Sequence, residues 1–529
     1  MAIAESMGDR SVPLLETTMI GLLERAAAKA PDRVAIKQPH WGDQPEIAWT
    51  YTELLRDARR LAAYLGQFFC YGDHVAIWAP NSAHWFLYQF AASHLGLVLV
   101  TLNPAMREQE VEYMLAKSAA RGIILDREFR GASLVAMLDN VRDRLPQLET
   151  VLFLPDWRQH LADAPGEPAP SPTQPADPAL IVFTSGTTGK PKAALLHQAA
   201  CANVGNVGAQ RGGLPEGSVW LGTLPVFHCG GPITLCLGSV AHCNTLVIMP
   251  PFEPGMILAL IERERINWAP LVPAMLIPMF EHPNYASTDL SSLQAMLFGG
   301  TTLTPAFLNM AHERTGARVQ TVFGMTEGAG EIMKTELGDS SEIVAETVGR
   351  PLPHIDLRIV SPTDGAVVER GEVGEIRYRS PYMTSGYFGD PEATASLFDG
   401  DGFLRTGDLG MMDADGRVHV TGRLKELIIR SGMNIYPREI EDALAEYPGV
   451  AEAAVIGLPH DVYGEEVAVA IRAAAGSTID LDDVREYLIG RVARYKVPKH
   501  WRLVPDFPRS SLGKIQKFEM KGLFAPADA

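Results

Sequence analysis

Residues 179–198 read ALIVFTSGTTGKPKAALLHQ, an apolar segment of strand-like composition that runs directly into a loop rich in glycine, threonine and lysine. Glycines let successive backbone N–H groups turn toward one anion, hydroxyl groups add hydrogen-bond donors, and lysines add positive charge. We therefore predict a strand that ends in a phosphate-binding loop. The loop consists of Thr184, Ser185, Gly186, Thr187, Thr188, Gly189, Lys190, Pro191 and Lys192.

This loop is not the common nucleotide P-loop. Only two residues separate Gly186 from the Gly189–Lys190 pair, and Pro191 stands where the P-loop needs a serine or threonine to hold magnesium. The sequence therefore argues against a kinase or a GTPase. A hairpin turn without a ligand is the structural alternative, and the length of the string favours the phosphate-binding interpretation.

Before the loop, helical and strand-like patterns alternate along the chain. Thr50 and Glu53 have the spacing of a capping box ahead of an apolar helical face. The segments 74–80 (HVAIWAP), 97–102 (LVLVTL) and 122–126 (GIILD) have the composition of buried strands, with helical patterns between them. This β-α-β-α order is typical of a parallel sheet covered by helices.

Beyond about residue 425 the pattern changes to a short α+β unit. A helical pattern at 437–447 is followed by strand-like segments at 450–458 and 465–473. A segment of this size can form a small domain of its own. We therefore predict an α/β fold with a large N-terminal domain of helix-covered sheets, residues 1–424, and a small mobile α+β C-terminal domain, residues 425–529.

Two stretches between these regions need a separate interpretation. Six prolines between residues 165 and 178 predict a surface connection, because proline is unsuited to helix interiors and central strands. Residues 217–252 contain no Asp, Glu, Lys or Arg, but prolines, glycines and histidines interrupt them. We therefore predict a buried strand-and-loop region there rather than a membrane span.

Composition and charge exclude several classes of protein. The 529 residues are 47% hydrophobic and 21% charged, as in a globular protein rather than a disordered or collagen-like chain. The formal net charge of −17 repels nucleic acid and anionic lipid, so any bound phosphate must be held by local geometry. The five cysteines form no CxxC pair and the N-terminus lacks a secretory signal, so we predict a cytoplasmic protein without an integral membrane segment.

The string TSGTTGKPK resembles the signature of the adenylate-forming (ANL) superfamily, which includes acyl-CoA synthetases, nonribosomal-peptide adenylation domains and beetle luciferases. Five later strings resemble further motifs of that superfamily, and all six occur in the expected order. They are FGMTEG (323–328), LRTGDLG (404–410), GRLKELI (422–428), SGMNIYPREIE (431–441) and LGKIQK (512–517). The chain therefore resembles an AMP-binding acyl-CoA synthetase, or acid–CoA ligase.

The resemblance implies that ATP activates a carboxylic acid, a reaction that brings two anions together. A carboxylate and a phosphate repel by about 4 kcal/mol at about 4 Å in an effective dielectric of ~20, so a cation must stand between them. The resemblance assigns that catalytic cation to Lys514. It assigns Glu327 to Mg²⁺, because a hard cation prefers carboxylate oxygen, and Thr326 to a hydrogen bond with the α-phosphate.

The same motifs imply the other nucleotide contacts. Asp408 would accept hydrogen bonds from both ribose hydroxyls, and Arg423 would bind the ribose or a phosphate. Adenine would lie against the ring of Phe323, where the superfamily more often has tyrosine, and stacking survives because phenylalanine keeps the ring. The remaining positions expected at the nucleotide are Gly299, Gly300, Thr301, Gly324 and Met325. Thr301 is a second departure, since alanine is more common there, and it adds a hydroxyl to a pocket wall.

The segment LPVFHCGGP (224–232) resembles the motif that borders the acyl pocket. Amino-acid-selecting adenylation domains commonly have an aspartate where His228 stands, so an α-amino acid is disfavoured and His228 is expected at the acyl or pantetheine entrance. The resemblance also implies a C-terminal domain that rotates after adenylation, with Lys425 as the hinge and Gly432 lining the pantetheine tunnel. We expect a bulky, uncharged acid: fatty, aryl or alicyclic.

Together these implications predict an ATP-dependent carboxylic acid–CoA ligase. It would form acyl-AMP with release of pyrophosphate and then transfer the acyl group to the thiol of CoA, as in fatty acid metabolism. Its small-molecule partners would be the acid, ATP, Mg²⁺ and CoA. The alternatives are an adenylating amide synthetase, a ligase that loads a separate carrier protein, a luciferase-like oxygenase and a non-catalytic nucleotide sensor. The sequence leaves open whether the chain forms a homodimer.

Overall fold

The computed structural model describes residues 2–40, 45–166, 169–184, 190–249, 252–299, 303–430, 433–460, 462–509 and 515–524. Contacts divide the chain into two compact units. The larger unit consists of Ser6–Leu357 and Tyr378–Leu404, and the smaller unit of Met1–Glu5, Arg358–Arg377 and Arg405–Ala529. The predicted division into domains 1–424 and 425–529 stays a prediction.

The strands in chain order are β1 (Glu5–Ser6), β2 (Val34–Gln38), β3 (Ile47–Thr50), β4 (His74–Trp78), β5 (Val98–Leu102), β6 (Gly122–Leu125), β7 (Glu128–Phe129), β8 (Ala132–Ser133), β9 (Thr150–Phe153), β10 (Pro178–Thr184), β11 (Lys192–His197), β12 (Val219–Gly222), β13 (Thr245–Ile248), β14 (Trp268–Pro270), β15 (Ala295–Gly299), β16 (Arg318–Phe323), β17 (Met333–Lys334), β18 (Arg350–Pro351), β19 (Asp356–Val360), β20 (Gly374–Arg379), β21 (Leu404–Met412), β22 (Val418–Arg423), β23 (Ile428–Arg430), β24 (Met433–Ile435), β25 (Val450–His460), β26 (Gly464–Ala473) and β27 (His500–Leu503).

The helices are α1 (Met19–Lys29), α2 (Tyr51–Leu65), α3 (Ala83–Leu95), α4 (Glu108–Lys117), α5 (Leu134–Arg142), α6 (Trp157–Ala162), α7 (Gln198–Gly212), α8 (Gly238–Ala241), α9 (Pro254–Glu264), α10 (Pro273–Glu281), α11 (Pro305–Thr315), α12 (Ser341–Glu346), α13 (Pro391–Leu397), α14 (Pro437–Ala445) and α15 (Leu481–Ile489).

Two mostly parallel sheets form the frame of the larger unit. In the sheet β11-β10-β5-β4-β6-β9, every neighbouring pair is parallel except β10 with β11. In the sheet β18-β17-β16-β15-β14-β12-β13-β2-β3, the strands from β16 to β2 run parallel and the edge strands are antiparallel. Helices α4 and α5 share an apolar core with the first sheet, and α9, α10 and α11 with the second. The predicted α/β fold class is confirmed.

The smaller unit is built around antiparallel pairings. The sheet β1-β19-β20-β21-β22 lies mainly in this unit, and β24-β23-β26-β25 forms a second sheet with β27 beside β26. Helices α14 and α15 bury Ile440, Leu444, Val484 and Leu488 against the apolar face of β25 and β26. The helix and the two strands predicted beyond residue 425 are therefore confirmed as α14, β25 and β26.

Local signals in the sequence place several helix ends correctly. The Thr50 side chain accepts a hydrogen bond from the Glu53 N–H, and the Glu53 carboxylate accepts one from the Thr50 N–H, so the capping box begins α2. Helix α3 ends at Gly96, whose φ of 75° is left-handed and suits glycine. Strands β4, β5 and β6 occupy the three segments predicted as buried strands.

The uncharged stretch 217–252 differs in part from its prediction. Strands β12 and β13 are present, but a π-helix at Gly230–Leu237 and α8 replace the predicted loop between them. Pro232 lies in the first turn of the π-helix, where its missing N–H breaks no hydrogen bond, so the proline does not prevent a helix. Within the described ranges, no helix is long and apolar enough to cross a membrane.

Candidate active site

The predicted phosphate loop connects β10 to β11 at the carboxyl end of β10. Thr184, the last residue of β10, pairs with Lys192, the first residue of β11. Strand β5 lies parallel to β10 on its other side, so the loop leaves the edge of the sheet where parallel strands end. Loops at that edge form the ligand sites of open α/β sheets. Ser185, Gly186, Thr187, Thr188 and Gly189 lie outside the described residues.

The FGMTEG segment forms a tight turn directly after β16. A Cβ atom on Gly324 would overlap the carbonyl oxygen of Gly330, so only glycine fits there. The N–H groups of Gly328 and Gly330 both donate to the carbonyl oxygen of Met325, at 3.0 and 3.1 Å. This turn buries Thr326 and Glu327, which are 7% and 5% exposed. A buried carboxylate needs a hydrogen-bond donor or a cation as its partner. The turn holds Glu327 in a fixed position where such a partner can reach it.

Tyr387 is the partner of Glu327. Its hydroxyl donates a hydrogen bond of 2.6 Å to Glu327 Oε1. Burial and the nearby Glu327 carboxylate raise the pKa of Tyr387, so the phenol stays protonated and remains a donor. The N–H of Thr384 donates to the Glu327 carbonyl oxygen at 2.7 Å, which joins the two segments through their backbones as well.

Tyr387 also connects this turn to the phosphate loop. The Lys192 ammonium lies 5.0 Å from the centroid of the Tyr387 ring, within cation–π range. Lys192, Tyr387 and Glu327 thus form a continuous series of contacts from the end of the loop to the buried carboxylate. No sequence motif predicted a role for Tyr387; its position in the glycine-containing string SGYFGDPE (385–392) was the signal that could have indicated one.

The other predicted phosphate-loop lysine lies on a second tyrosine. The Lys190 ammonium is 5.9 Å from the centroid of the Tyr113 ring. The Tyr113 hydroxyl donates to the carbonyl oxygen of Pro191 at 3.0 Å, which fixes the residue between the two lysines. Both lysines therefore pack against aromatic rings of the larger unit, which restricts the positions of their ammonium groups.

Two predicted adenine-site residues lie at the same edge of the second sheet. Gly299 is the last residue of β15 and Phe323 the last residue of β16, and these strands are parallel neighbours with Gly299 opposite Val322. The structure therefore brings Gly299 and Phe323 to one carboxyl edge, next to the Thr326–Glu327 turn. Gly300 and Thr301 lie outside the described residues.

His228 and Cys229 lie where the acyl motif was predicted. Burial raises the pKa of the Cys229 thiol to about 12, and the neutral thiol is hydrogen-bonded to Thr326. A neutral, buried thiol is a packing residue rather than a nucleophile. His228 is exposed, and its Nδ1 accepts a hydrogen bond from the Gly230 N–H at 3.3 Å. Its predicted role at an entrance stays a prediction.

In the smaller unit, Asp408 and Arg423 are brought together. They are opposite each other on β21 and β22, and Arg423 Nε lies 3.1 Å from Asp408 Oδ1. The side chain of Asp408 is 16% exposed and that of Arg423 is 48% exposed, so both can still contact a ligand. Lys425 follows in the turn Leu424–Glu426, where its side chain is exposed. Gly432 and Lys514 lie outside the described residues.

Lys517 connects the C-terminal segment to that same turn. Its ammonium lies 2.8 Å from Glu426 and 2.7 Å from Glu441. Burial alone would lower the pKa of Lys517, but the two carboxylates outweigh it and hold the pKa above its usual value. Lys517 is therefore a fixed cation three residues after Lys514. The motif LGKIQK (512–517) contains Lys517 but predicted no role for it.

The residues present fit a magnesium ion held mainly by a substrate. The described part of the chain contains no group of three or more His, Cys, Asp or Glu side chains that could hold a metal. Mg²⁺ commonly binds through one or two carboxylates together with substrate phosphates. The buried carboxylate of Glu327, close to the ends of the predicted phosphate loop, matches that pattern.

Known proteins resemble this chain over most of its length. The family model described as "AMP-binding enzyme" matches residues 23–388, and its "AMP-binding enzyme C-terminal domain" matches residues 439–514. A putative acyl-CoA synthetase of Bacillus subtilis, YngI, is 33% identical over 96% of this chain and 97% of its own length. The indoleacetate–CoA ligase of Aromatoleum aromaticum is 35% identical over 95% of this chain and 97% of its own length.

A solved structure shares the architecture. The crystal structure of ATP-bound MatB from Rhodopseudomonas palustris matches with a TM-score of 0.85 and 28% sequence identity, over 96% of this chain and 99% of MatB. The resemblance to the adenylate-forming superfamily that the six motifs predicted is thereby confirmed. Since one family model covers well over half of the residues and the relatives align from end to end, the chain belongs to the family of AMP-binding enzymes.

Proposed function

We propose that this AMP-binding enzyme is an ATP-dependent carboxylic acid–CoA ligase, which makes acyl-AMP and pyrophosphate and then an acyl-CoA thioester. The observation that carries the proposal is the buried Glu327 carboxylate, held by Tyr387 beside the strands that carry the phosphate loop. Two relatives that align over almost their whole length are named acyl-CoA synthetase and indoleacetate–CoA ligase, which supports CoA as the acyl acceptor. The predicted enzyme class, an AMP-forming acid–thiol ligase, is thus confirmed.

In the first half-reaction the larger unit binds the triphosphate and the acid. Thr326 donates to the α-phosphate, and the loop from Thr184 to Lys192 surrounds the outer phosphates. Glu327 would hold Mg²⁺, which would neutralise phosphate charge. The hydrogen bond from Tyr387 keeps the Glu327 carboxylate in one orientation, so binding the metal requires little reorganisation.

Asp408 and Arg423 are proposed for the ribose contacts, and Lys514 for the catalytic cation. Asp408 accepts hydrogen bonds from the ribose hydroxyls. Arg423 lies beside Asp408 and contributes a positive charge that attracts the nucleotide. Lys514 supplies the positive charge between carboxylate and α-phosphate. After pyrophosphate leaves, rotation at Lys425 withdraws that charge, and Gly432 leaves space for pantetheine.

We propose a bulky, uncharged acid as the substrate. A relative named for indoleacetate supports an acid with a ring system of that size.

The experiment that tests the function separates the two half-reactions. Purified enzyme is incubated with ATP, Mg²⁺ and a panel of fatty, aryl and alicyclic acids, and pyrophosphate and AMP release are measured with and without CoA. We expect acid-dependent pyrophosphate release and CoA-dependent AMP release, with the thioester identified by mass spectrometry. A parallel incubation in air replaces CoA with an amine, and an amide or an oxidised product in place of the thioester would instead identify one of the alternative enzymes.

Substituting Tyr387→Phe is expected to raise the Mg²⁺ concentration required for half-maximal pyrophosphate release by roughly 10- to 100-fold, as for the loss of one hydrogen bond to a charged group. The reason is that Glu327 loses the donor that orients it. Tyr285→Phe is the matched control, because the Tyr285 hydroxyl donates to the Arg314 carbonyl oxygen instead of a carboxylate. An unchanged Mg²⁺ dependence in the Tyr387 variant would show that Tyr387 does not support metal binding.

We also propose that the enzyme acts in the cytoplasm. The cysteines support a reducing compartment, because Cys70, Cys201, Cys229, Cys236 and Cys243 are all free and only Cys70 is exposed. The assembly state stays open, and light scattering on the purified protein distinguishes a monomer from a homodimer.

A further inference from the structure

The C-terminal segment of the smaller unit packs on one face of the β25–β26 pair. Met520 is buried there against alternate residues of the two strands, Ala454, Ile456, Ala468 and Ala470. Helix α14 packs against the residues in between, which point to the other face because successive side chains of a strand alternate. The C-terminal segment and α14 therefore lie on opposite faces of one sheet, and a contact between them has to pass the edge of that sheet.

Lys517 makes this contact at the edge. Its side chain is 19% exposed, and its ammonium lies 2.7 Å from Glu441 Oε1 on α14. The same oxygen accepts a hydrogen bond of 2.7 Å from the N–H of Val455 on β25, the outermost strand in the order of the sheet. The Glu441 carboxylate is thus held by the edge of the sheet and by the Lys517 cation at once.

A second carboxylate connects Lys517 to the proposed hinge. The ammonium lies 2.8 Å from Glu426 Oε2, and Glu426 directly follows Lys425 in the chain. One ammonium group therefore joins three elements of the smaller unit: the turn Leu424–Glu426, helix α14 and the C-terminal 3₁₀ helix Lys517–Phe524.

The residues on both sides of the stretch 510–514 are also held together. Arg509 and Ile515 are antiparallel bridge partners, and the Gln516 N–H donates to the Pro508 carbonyl oxygen at 2.8 Å. These contacts bring the two ends of the stretch that contains the proposed catalytic lysine to one place. The three-element junction begins at the next residue after Gln516, so it determines where that place lies relative to the hinge turn.

We propose that Lys517 is a positioning residue for acyl-adenylate formation, which holds the stretch containing Lys514 at a constant position relative to the hinge turn; the inference rests on the proposed acid–CoA ligase function. Because Glu426 follows Lys425 directly, a rotation at Lys425 is passed through the Lys517 contact to the C-terminal segment. A cation that separates two reacting anions needs this accuracy, since a displacement of about 1 Å can reduce a rate about 10²-fold.

The test compares the two half-reactions in variants of Lys517. Lys517→Met keeps the length of the side chain and is expected to lower kcat for pyrophosphate release about 10²-fold. The KM values for ATP and the acid should change less than about 3-fold, because the lost interaction acts on the transition state. Conversion of a supplied acyl adenylate to thioester should remain nearly intact. Lys517→Arg should restore most of the rate, since a guanidinium group can bind both carboxylates.

A double-mutant cycle shows whether Lys517 acts through Lys514. If it does, Lys517→Met should cause no further loss of pyrophosphate release in an enzyme that already carries Lys514→Ala. A further loss of about 10²-fold in that background would mean that the two lysines act independently, and would overturn the inference.

Glu426→Ala is the second variant, because Lys517→Met leaves Glu441 without its cation and can impair folding. Glu426→Ala keeps the Lys517–Glu441 pair and removes only the connection to the hinge turn, so we expect adenylation to fall about 10-fold. Lys496→Met is the matched control. Lys496 pairs with Glu439 on the same helix α14 at 2.6 Å, away from the hinge turn and the C-terminal segment, and its loss should change neither half-reaction.

Hydrogen–deuterium exchange tests the junction without turnover. Glu426→Ala is expected to raise amide exchange about 10-fold in residues 515–524, although Lys517 lies 91 residues from the changed position. Lys496→Met should leave exchange there unchanged.

The outcomes separate the inference from the function. Equal loss of both half-reactions in Lys517→Met, unchanged adenylation in both variants, or unchanged exchange at residues 515–524 in Glu426→Ala would each overturn the inference and leave the ligase function intact. If the wild-type enzyme activates no acid, the proposed function fails, and the exchange experiment still decides whether Lys517 joins the hinge turn to the C-terminal segment.

Discussion

Replacing Lys514 by alanine is expected to abolish acyl-adenylate formation while leaving the conversion of a supplied acyl adenylate to thioester nearly intact. The lysine is proposed to separate two anions that repel by about 4 kcal/mol, so its loss should slow adenylation by roughly 10³-fold. The thioester step needs no such cation, because pyrophosphate has left. The measurements are acid-dependent pyrophosphate release and, separately, acyl-CoA formation from a synthetic acyl adenylate.

A matched control comes from the same segment. Lys521 is an exposed lysine in the 3₁₀ helix Lys517–Phe524, and Lys521→Ala should leave both steps unchanged. Gly432→Leu should have the opposite effect to Lys514→Ala, because a side chain in the pantetheine tunnel blocks the thiol but not adenylation. If both variants lose both steps equally, the two-conformation mechanism is wrong.

Substituting Glu327→Gln is expected to reduce kcat/KM for pyrophosphate release by about 10²- to 10³-fold, the range found when one preorganised electrostatic contact is removed. Glutamine keeps the shape of the side chain and still accepts the hydrogen bond from Tyr387, so the turn should stay folded. What it lacks is the negative charge that attracts Mg²⁺. The Mg²⁺ dependence of the residual rate should therefore shift to higher concentration.

The control for this change is Glu264→Gln, a half-buried carboxylate that pairs with Lys37 at 2.9 Å and has no role in the site. It should affect stability slightly and activity not at all. Thermal unfolding of both variants checks that the Glu327 variant is folded. An activity loss that is independent of Mg²⁺ concentration would assign Glu327 a role in orienting the substrate instead of binding the metal.

Local features of the fold followed from sequence patterns because they depend on neighbouring residues. The Thr50–Glu53 capping box, the end of α3 at Gly96 and the buried strands β4, β5 and β6 all involve spacings of a few residues. The prediction for residues 217–252 was wrong where the π-helix forms, because glycine and proline at a helix start resemble a loop in sequence. The six ordered motifs identified the family for the same reason, since each is a short string.

The contacts within the site could not be predicted in that way. Tyr387 and Glu327 are 60 residues apart in sequence, and Lys517 and Glu426 are 91 apart. No local periodicity encodes such pairs, which depend on how separate segments pack. The burial of Glu331 and Lys334 is a further example, because two charged residues at this spacing also suit an exposed turn.

By itself, the sequence determined the alternation of strands and helices, the family and the type of reaction. It did so because periodicity, capping and turn composition act over short distances along the chain. Only the tertiary structure decided which tyrosine holds the Glu327 carboxylate, which carboxylates hold Lys517, and which charged pair is buried. These features depend on burial and on contacts between distant segments. Removal of water there makes each unpaired polar group costly in free energy.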